Sequence, residues 1–93
     1  MLRITLEQFS KSAIHTDNIG EYLKGMDCDG MKGIVYPSRC ETYYVYINID
    51  ESGYYLELLN DIYHSKELEP LEKRLLAFVN EDLEIISMLK NNQ

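Results

Sequence analysis

Hydrophobic and polar residues alternate most clearly between residues 41 and 60, and this stretch predicts a β-hairpin. Period-two alternation of β-branched and aromatic residues is typical of strands that bury one side. The side predicted to face the core comprises Val45, Ile47, Ile49, Leu56 and Leu58. The opposite side would carry Tyr44, Tyr46, Tyr55 and Glu57. Residues 50–53 supply the turn, since Asp and Ser bond their own backbone and Gly53 tolerates positive φ.

The first forty residues predict two short helices and one strand. Thr5 and Gln8 have the spacing of a capping box, which starts a helix over residues 6 to about 13. A short strand is the alternative there, because Leu2, Ile4 and Leu6 also alternate. A second helix is expected where Ile19, Tyr22, Leu23 and Met26 follow helical spacing. Residues 34–36, between Gly33 and Pro37, fit a strand beside the hairpin, with residues 37–40 as the connecting turn.

The C-terminal segment predicts an amphipathic helix that covers the apolar side of the sheet. Pro70 suits a first helical position, and Glu69 and Glu72 favour the positive end of the helix dipole. Asp82 falls within the apolar stripe, where an unpaired carboxylate would be costly. A break near Asn80 would instead place Asp82 in a first turn, and an acid facing a partner is the other explanation. The predicted fold is thus α+β: one domain over residues 1–93 with two N-terminal helices, a three-stranded antiparallel meander, and a C-terminal helix that is either continuous or broken near Asn80.

The net charge of −7 is confined to one half of the chain. Residues 1–40 carry five acids and five bases, whereas residues 41–93 carry eleven acids against four bases. An acidic surface repels phosphate backbones, so direct nucleic-acid binding is not expected. The same surface would attract a basic protein and accelerate encounter with it, although high charge also serves plain solubility.

Motifs for catalysis, cofactors and metals are not evident. The sequence lacks a GxSxG elbow, a Walker loop and a GxGxxG turn, so no enzyme and no cofactor are predicted. Cys28, Cys40, His15 and His64 lack the paired spacing of zinc sites, so no metal is expected. A Cys28–Cys40 disulfide is allowed by spacing but disfavoured in a reducing compartment. Neither a signal peptide nor an apolar stretch of membrane-spanning length is evident, which predicts a cytoplasmic protein without membrane contact.

The tyrosines of the hairpin form the candidate binding surface. Tyrosine offers a large contact area at low entropic cost and is enriched at interface hot spots. The predicted partner-binding residues are Tyr44, Tyr46, Asp50, Glu51, Tyr55, Glu57 and Asp61. The alternative is that these tyrosines stabilise the sheet by cross-strand pairing or lie beneath an N-terminal helix.

In size and composition, the chain is similar to small acidic inhibitors of basic enzymes, such as immunity proteins of bacterial toxins and phage-encoded anti-defence proteins. This likeness is one of type and rests on no shared motif. It implies a non-enzymatic module that neutralises a basic, nucleic-acid-acting protein by presenting acids where phosphates would bind. The alternative hypothesis is a homodimeric structural or regulatory protein that pairs through the tyrosine-rich face.

Overall fold

The computed structural model describes residues 3–23, 30–37, 44–58 and 60–91, the last ten of them by backbone only. The fold is α+β, with one antiparallel sheet and a long C-terminal helix. Its elements are α1 (Leu6–Lys11), β1 (Ile14–Thr16), a 3-10 turn (Ile19–Glu21), β2 (Gly33–Pro37), β3 (Tyr44–Asp50), β4 (Gly53–Leu58), β5 (Asp61–Ser65) and α2 (Leu68–Asn91).

The described residues form a sheet of five strands in the order β1-β2-β3-β4-β5, so the prediction of three strands was wrong. The predicted hairpin is present as β3 and β4, with Asn48 opposite Tyr55 and Asp50 opposite Gly53. Its turn is also confirmed: the Asp50 carboxylate accepts from the Ser52 amide at 2.8 Å, and Gly53 has a φ of 134°. The additional strands are β1, with three residues, and β5, with five, and they form the two edges.

The helix α1 begins as the capping box predicts. The Thr5 hydroxyl accepts from the Gln8 amide at 3.1 Å, and the Gln8 side chain accepts from the Thr5 amide at 3.0 Å. The helix ends at Lys11, two residues before its predicted end, because the chain turns at Ser12 into β1.

The second N-terminal helix was wrongly predicted, since the segment forms one 3-10 turn. The Asn18 side chain accepts hydrogen bonds from the amides of Gly20 at 3.0 Å and Gly30 at 2.8 Å. The Ile19 amide donates to the Met31 carbonyl at 2.9 Å. These bonds tie the turn to the chain just before β2. The end of the predicted helix, Met26, lies outside the described residues, as does most of the turn expected at residues 37–40.

One side of the sheet, which we call the inner face, packs against α1 and α2. Its buried cluster consists of Phe9, Ile34, Tyr36, Val45, Ile47, Leu56, Leu71, Leu75, Leu76 and Val79. Val45, Ile47 and Leu56 therefore lie on the side that the alternation predicts, and Ile49 and Leu58 pack against the same cluster. The C-terminal helix covers the sheet as expected.

The helix α2 continues past Asn80, so the predicted break is wrong. The Asn80 side chain does not cap a new segment. Its Oδ1 accepts from the Ile4 amide at 2.8 Å, and its Nδ2 donates to the Ile4 carbonyl at 3.0 Å. Asn80 thus holds the chain that leads into α1 against the middle of α2. The side chain of Asp82 lies outside the described residues.

Candidate functional site

The side of the sheet opposite the helices, the outer face, carries a row of residues across all five strands. Residues directly opposite each other in an antiparallel pair project to the same face. The register sets Thr16 opposite Gly33, Gly33 opposite Asn48, Asn48 opposite Tyr55, and Tyr55 opposite His64. By alternation along the strands, Tyr44, Tyr46, Glu57 and Ile62 share this face. The predicted grouping of Tyr44, Tyr46, Tyr55 and Glu57 on one side of the sheet is therefore confirmed.

The part of the outer face over β1 to β3, which we call the covered half, lies beneath the 3-10 turn. Ile19, Leu23 and Val35 form a second buried cluster there. The partly buried residues that pack against it are Ile14, Tyr22, Met31, Tyr44 and Tyr46. The rings of Tyr22 and Tyr44 meet edge-on, with centroids 5.4 Å apart. Tyr44 and Tyr46 are thus half-buried beneath an N-terminal segment, which matches the alternative interpretation of the tyrosines.

Gly33 allows the 3-10 turn to lie this close to the sheet. A Cβ atom at Gly33 would clash with the Ile19 side chain and would lie 2.5 Å from the Ile47 carbonyl oxygen. Both distances are shorter than the contacts that Cβ atoms make in real structures. The missing side chain at Gly33 is therefore what allows Ile19 to be fully buried against β2.

The part of the outer face over β4 and β5, the open half, consists of Tyr55, Glu57, Ile62 and His64. Ile62 is 58% exposed, while Glu57 and His64 are also exposed and Tyr55 is half-buried. The rings of Tyr55 and His64 are 5.8 Å apart and tilted by 33°. Tyr55 and Ile62 are diagonal neighbours on the two strands, and Glu57 lies directly opposite Ile62, so an aromatic and an aliphatic side chain share this part of the face with an acid. Neither Ile62 nor His64 was predicted to lie on this face, although their alternation with Tyr63 could have revealed β5.

The predicted acids surround the open half without lying on one face. Asp50 and Glu51 are exposed at the β3–β4 turn. Ser52 donates to the Asp50 carboxylate from its hydroxyl at 2.7 Å and from its amide, and these bonds lower the pKa of Asp50. Asp61 is exposed but lies opposite Leu58, on the inner side of the sheet at the start of β5. The structure thus places the predicted acids around two sides of the β4–β5 hairpin.

One buried amide lies between the two halves. Asn48 is only 2% exposed, and its Oδ1 has no hydrogen-bond partner among the described residues. Buried acceptors without partners are uncommon and costly. The Asn48 oxygen lies below the surface, so it belongs to the interior of the sheet and not to a contact area.

A buried acid on the inner face was not predicted as such. Glu72 is 5% exposed and accepts from the Tyr36 hydroxyl at 2.8 Å, and the Ser10 hydroxyl lies 3.4 Å from its other oxygen. Tyr36 is fully buried, and its ring stacks on Phe9 at a centroid distance of 4.3 Å. Burial, followed by the hydrogen bond to Glu72, raises the pKa of Tyr36 far above its ordinary value. This hydrogen-bond network links α1, β2 and α2. Because Tyr36 is closed to solvent, its hydroxyl is not accessible to a substrate.

The two histidines considered as metal ligands are not brought together. His15 is exposed on β1 and His64 is exposed on β5, at opposite edges of the sheet. Cys28 and Cys40 lie outside the described residues. Within the described ranges, no group of three or more His, Cys, Asp or Glu side chains has a metal-binding arrangement. The described helices include none with the length and apolar character needed to cross a membrane.

The open half of the outer face, together with the acids around it, is therefore the candidate functional site. Comparison with protein-family models, with curated proteins and with solved structures finds no match for this chain.

Proposed function

We propose that this chain is a non-enzymatic protein-binding module that neutralises a basic, nucleic-acid-acting protein. The observation that carries the proposal is the exposure of Ile62 beside Tyr55 within a strongly acidic surround. Protein interfaces combine an apolar or aromatic anchor with a polar rim, and acidic rims select basic partners. The acids would occupy the positions on the partner that otherwise bind phosphates.

We propose a smaller set of tyrosines for this function than the sequence predicted. Tyr55 lies on the open half and is the anchor we propose, with Ile62 beside it. Tyr44 and Tyr46 pack against the cluster beneath the 3-10 turn, so we assign them to support of the sheet. Glu57, Asp50, Glu51 and Asp61 form the acidic rim.

Binding kinetics with a basic partner test the proposal. The partner is obtained by affinity capture from the native cell, purified, and measured against the immobilised chain over a range of salt concentrations. We expect association to slow as salt rises, with smaller changes in dissociation, because surface charges act mainly on encounter. Glu57→Lys should slow association, whereas Glu81→Lys, an exposed charge reversal on α2 behind the sheet, should have a smaller effect.

Two tyrosine substitutions separate anchoring from support. Tyr55→Ala should speed dissociation by about tenfold or more, as expected for an interface hot spot. Tyr44→Ala should leave dissociation nearly unchanged but reduce the free energy of unfolding by about 1–2 kcal/mol, because it removes a packed aromatic pair. Binding that is unaffected by both Tyr55→Ala and Glu57→Lys would contradict the proposed function.

Self-association is a second candidate, favoured by the exposed Ile62 at an edge of the sheet. A homodimer would give the chain a structural or regulatory role. The net charge of −7 opposes it at low salt. Sedimentation equilibrium at low and high salt distinguishes the two functions, since screened repulsion should let a dimer form as salt rises.

A further inference from the structure

We infer that β5 accepts an extended segment of the basic partner as a sixth strand of the sheet. This inference rests on the proposed function and adds the mode of binding. Strand β5 is at the edge of the sheet and pairs with β4 alone among the described strands. Its other edge therefore presents backbone N–H and C=O groups that a further strand can pair with.

The edge at β5 has few of the devices that usually prevent such pairing. Natural edge strands are blocked by proline, by charged side chains and above all lysine, by bulges or by being very short, and the one charged residue of β5 is Asp61 at its first position. The opposite edge, β1, has only three residues. By contrast, β5 has five residues that pair with β4 in unbroken register, and it contains neither proline nor lysine. The edge at β5 is thus the better template for an added strand.

The two sides of β5 differ in chemistry, and this sets the pattern expected in the added strand. Ile62 and His64 project to the outer face, where Ile62 is exposed. Asp61, Tyr63 and Ser65 project to the inner side, where the Arg74 guanidinium lies 4.0 Å from the centroid of the Tyr63 ring. An incoming strand would gain most from apolar side chains beside Ile62 and from a cationic side chain beside Asp61. Alternating apolar and basic residues meet both requirements.

Charge favours a basic partner over a second copy of this chain. Between residues 50 and 67 the exposed acids are Asp50, Glu51, Glu57, Asp61 and Glu67. The neighbouring bases are Lys66 and, from α2, Arg74. Pairing two copies through β5 would bring two such acidic surfaces together, and like charges across an interface disfavour that contact.

A designed peptide tests the added strand directly. The probe is a capped hexapeptide of alternating valine and lysine, and its control carries the same side chains on a fully N-methylated backbone. We expect the first peptide to bind and the control to bind about tenfold more weakly or worse, because methylation removes the ladder hydrogen bonds but keeps the charge. Hydrogen exchange at the β5 amides should slow on binding of the first peptide.

A pair of protein variants supplies the second measurement. Ile62→Lys and Ala77→Lys both add one positive charge at an exposed position, the first on β5 and the second on α2. Ile62→Lys should weaken peptide binding by about tenfold, since it removes the apolar contact with the valines and places a lysine on the edge strand, while Ala77→Lys should change it less than about twofold. Thermal melts of both variants confirm that they are folded.

The outcomes separate this inference from the proposed function. Equal binding of both peptides, or no binding of either, overturns strand addition. If the captured partner responds to Tyr55→Ala and Glu57→Lys but not to Ile62→Lys, the proposed function stands and strand addition is wrong. A chain that dimerises unless Ile62 is replaced by lysine would identify a second copy as the occupant and would also overturn the inference.

Discussion

Tyr44 and Tyr55 lie on the same face of one sheet, on neighbouring strands, and their surroundings differ in what the chain places above them. Over β1 to β3 the 3-10 turn lowers Ile19 and Leu23 onto the sheet, and Tyr44 packs against them. No described segment covers β4 and β5 in this way, and Ile62 is exposed there. Aromatic content alone therefore does not define a binding face. What decides it is whether a connecting segment can approach the strands, and here a glycine on β2 permits that approach.

The largest expected effect comes from placing the same charge in each half. Ile19→Asp should reduce the free energy of unfolding by at least about 4 kcal/mol, because it buries an unpaired carboxylate. Ile62→Asp should change it by within about 1 kcal/mol, since that side chain is exposed. Urea denaturation of both variants provides the measurement. Comparable losses of stability in the two variants would mean that Ile19 and Ile62 do not differ in burial, and would contradict the distinction between the covered and open halves.

Removing single hydroxyl groups distinguishes an enclosed tyrosine from an open one. Tyr36→Phe should cost about 1.5–3 kcal/mol, because the buried Glu72 carboxylate loses a hydrogen bond, whereas Tyr55→Phe should cost less than about 0.5 kcal/mol. The pKa of Tyr36 is raised in the folded state, so its contribution is complete below the ordinary tyrosine pKa of about 10 and is lost as the pH rises above it. Raising the pH above 10 should therefore reduce the free energy of unfolding of the wild type more than that of Tyr36→Phe, as measured by urea denaturation.

Filling the space at Gly33 should disturb the covered half alone. Gly33→Ala should reduce the free energy of unfolding by about 1–3 kcal/mol, as overpacking does in other cores. Adding Ile19→Val to this variant removes the terminal methyl that clashes and should recover part of the loss. A double-mutant cycle measures that coupling, and strict additivity would contradict the close approach of Ile19 to β2.

The smallest effect is expected at the turn that joins the two halves. Asp50 has a lowered pKa because Ser52 donates to its carboxylate, so its stabilising contribution exists above the ordinary aspartate pKa and is lost as the pH falls. Asp50→Asn should therefore melt slightly below the wild type near pH 7, and the difference should vanish near pH 2. A difference that persists at pH 2 would point to turn geometry instead of ionisation.

Elements specified by neighbouring residues could be predicted from the sequence, whereas elements specified by distant contacts could not. The capping box of α1 and the β3–β4 hairpin depend on residues within a few positions of one another. The 3-10 turn depends on bonds from Asn18 to Gly30 and from Ile19 to Met31, which helical spacing does not encode.

Dependence on distant contacts also explains why a break in α2 was wrongly predicted and why the sequence did not show which tyrosines are covered. Asn80 resembled a cap in the sequence, but its amide serves the Ile4 backbone, 76 positions away. The alternation in β3 and β4 placed Tyr55 and Glu57 on the outer face. It could not show that Tyr44 and Tyr46 are covered, because that depends on where the 3-10 turn packs.

The hydrogen bonds between Asn80 and Ile4 also order events during synthesis on the ribosome. Chains grow from the N-terminus at roughly 5–20 residues per second, so α1 emerges several seconds before the middle of α2. All five strands precede α2, and a sheet formed in that interval would have its inner face exposed. The hydrogen bonds that hold the chain before α1 cannot form until residue 80 is available. The helix α2 therefore completes the structure in two places, because it covers the inner face of the sheet and holds the chain before α1, and until it forms the apolar inner face stays exposed.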